Sequence, residues 1–314
     1  MGEMKFQINE ALDVRYVKLH FTLMFPEACV LPVSKASAIR GGMGEMLLRA
    51  NCIRNRECGK CDFVEECIVQ RTMYSQFEKK PEFITVGDSV GYVVECEDYR
   101  EYYEAGDTLE FNLLLFGKTI VYFNQYLQAL FALGQNGLGK EKARFAISQV
   151  TNTKGHPIID ETDVYMKHYK VETIRTYVDY RMRQIAEQGK PQRMVFITPL
   201  TQKYQGEFLQ EFQMEAITKS VQRRLYMLNC FEGKDIEALY REELEVPVIV
   251  SQKANEIKVS RYSSRQDAKM RLKGIKGEIE LDEIPDELLE LYFAGELIHI
   301  GKNTSFGFGR YRLM

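Results

Sequence analysis

A chain of 314 residues, 45% hydrophobic and 28% charged, is long enough for two soluble globular domains, each with its own core. A net charge of −3 excludes a polycation, so any contact with nucleic acid must be made by a local patch. No apolar run approaches the roughly 20 residues needed to span a bilayer. The opening stretch, MGEMKFQINEALDV, lacks both a basic-then-apolar signal pattern and the Ser/Thr of a myristoylation site, so the expected location is the cytoplasm.

In chain order, VRYVKLHFTLMF (14–25) alternates as a strand does. SKASAIRGGMGEMLLRAN, from Ser34, reads as a helix entered through a basic, glycine-rich turn. A cysteine-rich segment follows. FITVGDSVGYVVEC and TLEFNLLLFGK then read as strands. IVYFNQYLQALFALGQNG has helical spacing and a C-terminal stop at Gly137, and ARFAISQV is another strand. The order is β-α-β-β-α-β, the split βαβ arrangement of ferredoxin-like domains. Residues 155–190 are polar and Tyr-rich and read as a connector with some helix. The order then repeats: RMVFITPL, a long helix ending at Gly233, the strands NEIKVSRYSS and MRLKGIKGEIELD, the helix IPDELLELYFAGEL, and FGRYRLM. The predicted fold is therefore α+β, with two tandem ferredoxin-like (RRM-like) domains. Residues 1–154 form the first, with an inserted cysteine loop at 52–67, and residues 191–314 form the second.

Three groups of residues carry chemistry. Cys52, Cys58, Cys61 and Cys67 follow C-x5-C-x2-C-x5-C, and four thiols at such spacing point to a metal site. A structural zinc is the first choice and an iron–sulfur cluster the alternative. With no ligand to spare, the site is expected to brace the loop and take no part in catalysis. Cys29, Cys96 and Cys230 sit singly among apolar residues and read as small buried hydrophobes.

The second group is basic: Arg261, Arg265, Lys269, Arg271 and Lys273, with Tyr262 among them, suit an RNA backbone with unstacked bases. A solvated charged hairpin is the plain alternative. The third is the C-terminal HIGKNTSFGFGR. Gly301, Gly307 and Gly309 let a backbone adopt positive φ and let another molecule approach its amides. His299 precedes them and, with Lys302, forms a candidate acid or base beside an anion cradle. His20, His156 and His168 read as strand or loop residues. No Walker A pattern, G-x-S-x-G elbow or HExxH motif occurs.

HIGKNTSFGFGRYRL resembles the C-terminal glycine-rich loop of the CRISPR-associated endoribonucleases of the RAMP superfamily, which cut precursor CRISPR RNA at its repeats. RYSSRQDAKMRLKGIKGEIEL resembles the strand pair before that loop in one branch. GLGKEKARFAISQV resembles the turn and strand closing the first domain, and RGGMGEMLLR followed by clustered cysteines fits the same branch.

The resemblance implies a metal-independent cut. The RNA 2′-hydroxyl attacks the neighbouring phosphate and leaves 2′,3′-cyclic phosphate and 5′-hydroxyl ends. It also implies His299 as the proton-transfer group, Lys302 as charge stabiliser, and Arg40, Ser305 and Arg310 beside the basic cluster and the glycines as RNA contacts. Many relatives place a catalytic histidine on or near the first helix, where this chain has none. The base is then His299, another histidine or a tyrosine, or else the protein is a RAMP subunit that binds guide RNA without cutting it. The implied partners are CRISPR repeat RNA and other CRISPR-associated proteins, and a homodimer is left open.

Overall fold

The computed structural model describes residues 8–84, 89–161, 163–236, 239, 243–263 and 268–314. Its first sheet is built on β1 (Arg15–Met24), whose inward residues Val17, Leu19, Phe21 and Leu23 alternate with more exposed ones as the sequence pattern requires. The helix α1 (Lys35–Asn51) buries Ile39, Met43, Met46 and Leu47, a single stripe at helical spacing. After it come α2 (Ile68–Met73), the strands β2 (Tyr92–Glu95) and β3 (Thr108–Phe116), the helix α3 (Phe123–Asn136) and β4 (Ala146–Thr151). α3 stops at Gly137, whose φ of 86° favours glycine.

The strand order across the sheet is β2-β3-β1-β4, all neighbours antiparallel, as in a ferredoxin-like domain. The segment read as a connector does more than connect. It adds β5 (Pro157–Asp160) to the sheet edge beside β4 and then forms the helix α4 (Ile174–Gln188).

The second domain repeats the plan with β6 (Arg193–Phe196), α5 (Met214–Glu232), β7 (Ile249–Ser263), β8 (Ala268–Leu281), α6 (Asp286–Ile298) and β9 (Tyr311–Leu313). Its sheet order, β7-β8-β6-β9, matches the first. Both halves therefore have the expected ferredoxin-like topology. α6 is apolar nearly all round and is buried accordingly, with α4 packed along it. Arg181 of α4 pairs there with Glu296 at 2.9 Å, and Tyr177 donates to the same carboxylate at 2.7 Å.

The hydrophobic core of the second domain does not stop at the domain boundary. Val93, Leu114 and Phe116 of the first sheet and Leu12 and Val14 ahead of β1 belong to the same apolar cluster as Leu225, Leu228 and Phe231 of α5. One domain is thereby seated on the other, and the surface between them holds the site described next.

Candidate RNA site between the domains

The glycine-rich loop runs from His299 to Arg310 between α6 and β9, and it lies against the first domain. All three expected glycines have positive φ. What approaches them, however, is this protein's own backbone. A Cβ on Gly307 would come within 2.6 Å of the Val94 carbonyl of β2, and one on Gly309 within 1.8 Å of the Ile300 carbonyl. Their amides are also in use: Gly301 donates to Ser220 Oγ at 2.9 Å, Gly307 to the Thr304 carbonyl at 2.8 Å and Gly309 to the Pro199 carbonyl at 2.9 Å. The reading of these amides as a phosphate cradle is corrected accordingly. The glycines dock the loop.

His299 is likewise corrected. It is 0% exposed, with its ring Nε2 3.0 Å from Glu95 Oε1 and its Nδ1 2.9 Å from the Phe308 carbonyl oxygen. Burial pushes the imidazole below its ordinary value, and the pull of Glu95 offsets this only in part. A buried ring with both nitrogens engaged cannot exchange a proton with RNA.

Glu95, at the end of β2 and 4% exposed, also receives Lys18 Nζ at 2.8 Å, Asn112 Nδ2 at 3.0 Å and Arg310 Nε at 3.6 Å. Burial would raise its pKa, but Lys18, His299 and Arg310 outweigh that and hold the carboxyl well below the usual carboxylate range. Arg310 is additionally paired with Glu97. It is committed to the interdomain contact, which corrects its assignment to RNA.

On the cleft side of the loop Lys302 is exposed, Asn303 and Phe306 are half-buried, and Thr304 and Ser305 are buried. With α1 and α5 they line a cleft of about 620 Å³. α1 contributes Arg40, whose guanidinium lies 4.6 Å from the centre of the Phe306 ring and donates to Ser89 Oγ at 3.1 Å. α5 contributes Lys219 and, one turn on, Arg223, which lies over Phe83 at 5.6 Å. Lys203 and Tyr204 come from a short hairpin after β6, where they pair with Phe208 and Glu207, and Ser305 lies buried in the wall. Among the described lining residues there is no histidine and no carboxylate. Cations, aromatic faces and no acid make a wall suited to a phosphodiester with bases.

Of the expected residues, the cleft thus unites Arg40, Gly301, Lys302 and Ser305. Arg271 and Lys273 are exposed on β8 and line a neighbouring cavity of about 380 Å³, which shares Lys302 and Asn303 with the cleft. Arg265 lies outside the described residues; Arg261 and Lys269 fall within β7 and β8, where only their backbone register is described. Phe83, Tyr204, Lys219, Arg223 and Phe306 escaped sequence reasoning. Only the pair Lys219 and Arg223, four apart on one helix, carried a readable signal.

The other histidines lie elsewhere. His20, on β1, bonds Asn112 at 3.0 Å, and His156 and His168 sit side by side with ring centroids 5.4 Å apart. The four clustered cysteines are free thiols lining one separate cavity of about 240 Å³ beside the end of α1. The Arg56 amide donates to Cys52 Sγ at 3.2 Å, a contact of the kind that orients thiolate ligands. The donor set suits a thiolate metal centre. Among the described residues, however, no three such side chains are gathered closely enough to hold an ion as they stand. Cys29, Cys96 and Cys230 are half-buried, and burial pushes the Cys96 thiol up to about 11.

Comparisons with known proteins agree with this layout. Residues 12–176, more than half of the chain, match the N-terminal domain model AF_1859_N, and residues 194–311 match the model described as CRISPR-associated endoribonuclease Cas6. Among solved structures, a partial Cas6-RT-Cas1–Cas2 complex is similar at a TM-score of 0.57 and 11% identity, over 96% of this chain and 46% of that one. This chain thus spans about half the length of that match. Two Cas6 product complexes are similar over 96% of this chain. One has a TM-score of 0.52, 18% identity and 99% of its own length covered, the other 0.51, 14% and 100%. At these identities the likeness is one of fold. No curated protein matches the chain.

Proposed function

The chain belongs to the Cas6 family of CRISPR-associated endoribonucleases, and from that premise we propose that it cuts CRISPR repeat RNA in the cleft between its domains. The observation that carries the reading is the wall itself, where Arg40, Lys203, Lys219, Arg223 and Lys302 surround aromatic faces with no carboxylate among the described lining residues. In the proposed reaction the 2′-oxygen bonds to phosphorus as its proton leaves to a base. The bond from phosphorus to the 5′-oxygen breaks, and that oxygen takes up a proton. The products are a 2′,3′-cyclic phosphate and a 5′-hydroxyl, and no metal takes part in any step.

Lys302, exposed at the cleft, stabilises the charge of the phosphorane. With His299 withdrawn from the site, the phenol of Tyr204 is the group assigned to proton transfer, a role worth about 10²–10⁴-fold in rate. The test is cleavage of end-labelled repeat RNA in EDTA, beside RNA with a 2′-deoxy at the cut. One cut in the first and none in the second supports the reading; binding without any cut sinks it.

The lack of a histidine among the described lining residues favours a second reading, a RAMP subunit that holds repeat or guide RNA without cutting it. Other CRISPR-associated proteins are proposed as partners under either reading, and the cytoplasm as the location. No helix among the described residues is long and apolar enough to cross a membrane. The cysteine loop is proposed to close on a structural metal, zinc first and an iron–sulfur cluster second, bracing the end of α1.

A further inference from the structure

Lys302 stands between two cavities. On one side is the interdomain cleft of about 620 Å³, and on the other the cavity of about 380 Å³ under the β7–β8 hairpin. Gln202, Lys302 and Asn303 line both and so form the ridge between them.

The ridge is held by backbone. The Lys302 amide donates to the Thr201 carbonyl at 2.7 Å. Leu200, the next residue back, exchanges two hydrogen bonds with Ile275 of β8 at 2.8 and 2.9 Å. Asn303 adopts the left-handed conformation, with φ of 66°, and turns the chain immediately after the lysine. The Lys302 side chain is exposed, and among the described residues its ammonium has no ion-pair partner.

Each cavity has an aromatic face and cations of its own. The cleft has Phe306 beneath Arg40. The smaller cavity has the exposed Phe208, with Lys203 Nζ 4.9 Å from its ring centre, together with Arg271 and Lys273. Lys273 faces Lys258 directly across the hairpin. Lys258 is paired with Glu256, the one carboxylate among the described lining residues of this cavity, at 2.9 Å, which leaves Arg271 and Lys273 as its own cations. Cavities of a few hundred Å³ are the size that small ligands fill.

We infer that the RNA step to be cut straddles this ridge, with one nucleoside in each cavity and the phosphate between them against the Lys302 ammonium. The inference rests on the reading of the cleft as the site of RNA cleavage and makes it specific. The substrate is unpaired at the cut, since a nucleoside on either side of the ridge must leave its stack to meet an aromatic face. If both nucleosides occupied the larger cleft, Phe208, Arg271 and Lys273 would have no part in binding, and Lys302 would sit at a rim instead of under the phosphate.

The test is an abasic scan of the repeat RNA, read as binding affinity, with wild type, Phe306→Leu and Phe208→Ala. Leucine keeps apolar packing beneath Arg40 while removing the stacking face. Each variant should bind intact RNA about tenfold more weakly, in line with the loss of one stacked base. Each should then be insensitive to removal of one particular base, and the two positions found in this way should be adjacent. In cleavable RNA the cut should fall between them, and Lys302→Ala should lower kcat while leaving KM near wild type, with Lys302→Arg restoring part of it.

Two positions that are not neighbours, or coupling to Phe306 alone, would overturn the placement. A cut elsewhere would do the same. Because the scan reads binding, adjacent positions with no cleavage would leave both cavities as nucleoside sites and remove only the endonuclease reading.

Discussion

Glu95 and His299 lie 204 residues apart in sequence and 3.0 Å apart in space, and their contact ties the last residue of β2 to the start of the glycine-rich loop. Lys18 and Arg310 complete the charge around the carboxylate, and Asn112 carries the network on to His20 at the surface. His299 holds an uncommon backbone conformation, φ 59° and ψ 154°, which turns the chain sharply out of α6. The loop that presents Lys302 is thus positioned from the first domain.

That contact sets a pH dependence whose sign can be worked out. Glu95 has its pKa depressed by folding, so its contribution is present above the ordinary value of 4.5 and is lost as pH falls through the folded value. His299 is a base whose pKa is also depressed, from 6.5, so the unfolded chain binds its proton first and stability falls as pH drops below 6.5. Both act in the same direction. Thermal unfolding midpoints should decline from pH 7.5 to pH 5, with His299 contributing a slope of at most about 1.4 kcal/mol per pH unit. His299→Gln should flatten that stretch. A wild-type midpoint that rises on acidification would mean that the buried ring is an imidazolium in the folded protein.

Gly307→Ala tests the docking of the loop. The added methyl would meet the Val94 carbonyl at 2.6 Å, from a residue already at φ 79°. A strained left-handed residue costs about 1–3 kcal/mol, and here the obstacle is backbone of the other domain. Urea unfolding should show a loss of that order, with RNA binding weakened as the ridge shifts. Wild-type stability in the alanine variant would show that the loop does not rest on β2.

The element order of both domains was legible because strand alternation and helix stripes are local properties. The positive φ of the loop glycines was legible as well. Their purpose was not, since nothing in GKNTSFGFG tells a phosphate from the carbonyls of Val94 and Ile300. His299 carried a missed warning: it sits in LIHI, where Leu297, Ile298 and Ile300 all belong to the core. The cleft was hidden for a different reason. Arg40, Phe83, Tyr204, Arg223 and Lys302 come from five separate segments, and the packing of α5 and of the glycine-rich loop against the first domain brings them together.

Basic residues that meet RNA and basic residues that meet protein should separate in salt titrations. Arg271→Ala and Lys273→Ala should each reduce the slope of log affinity against log salt by about 0.7, the value for one phosphate of a single strand. Arg310→Ala should leave that slope unchanged and lower the unfolding midpoint, because its guanidinium is committed to Glu95 and Glu97. A reduced salt slope in Arg310→Ala would return that residue to the RNA.

The cysteine loop offers the last prediction. Its four thiols share one cavity, but they stand too far apart to hold an ion without the loop closing. Closure would join Cys52, at the end of α1, to Cys67, at the start of α2, and so fix the approach to both helices. Metal analysis of the purified protein should then find one zinc per chain, or iron and sulfide with a brown colour. Chelation should lower the unfolding midpoint while cleavage in EDTA persists over short times, since the RNA cleft lies apart from this cavity. Cys58→Ser combined with Cys61→Ser should remove the metal and produce the same loss of stability. Protein isolated without metal, taking up none when zinc or cobalt is added and unaffected by chelator, would leave the four thiols as unmetallated loop residues.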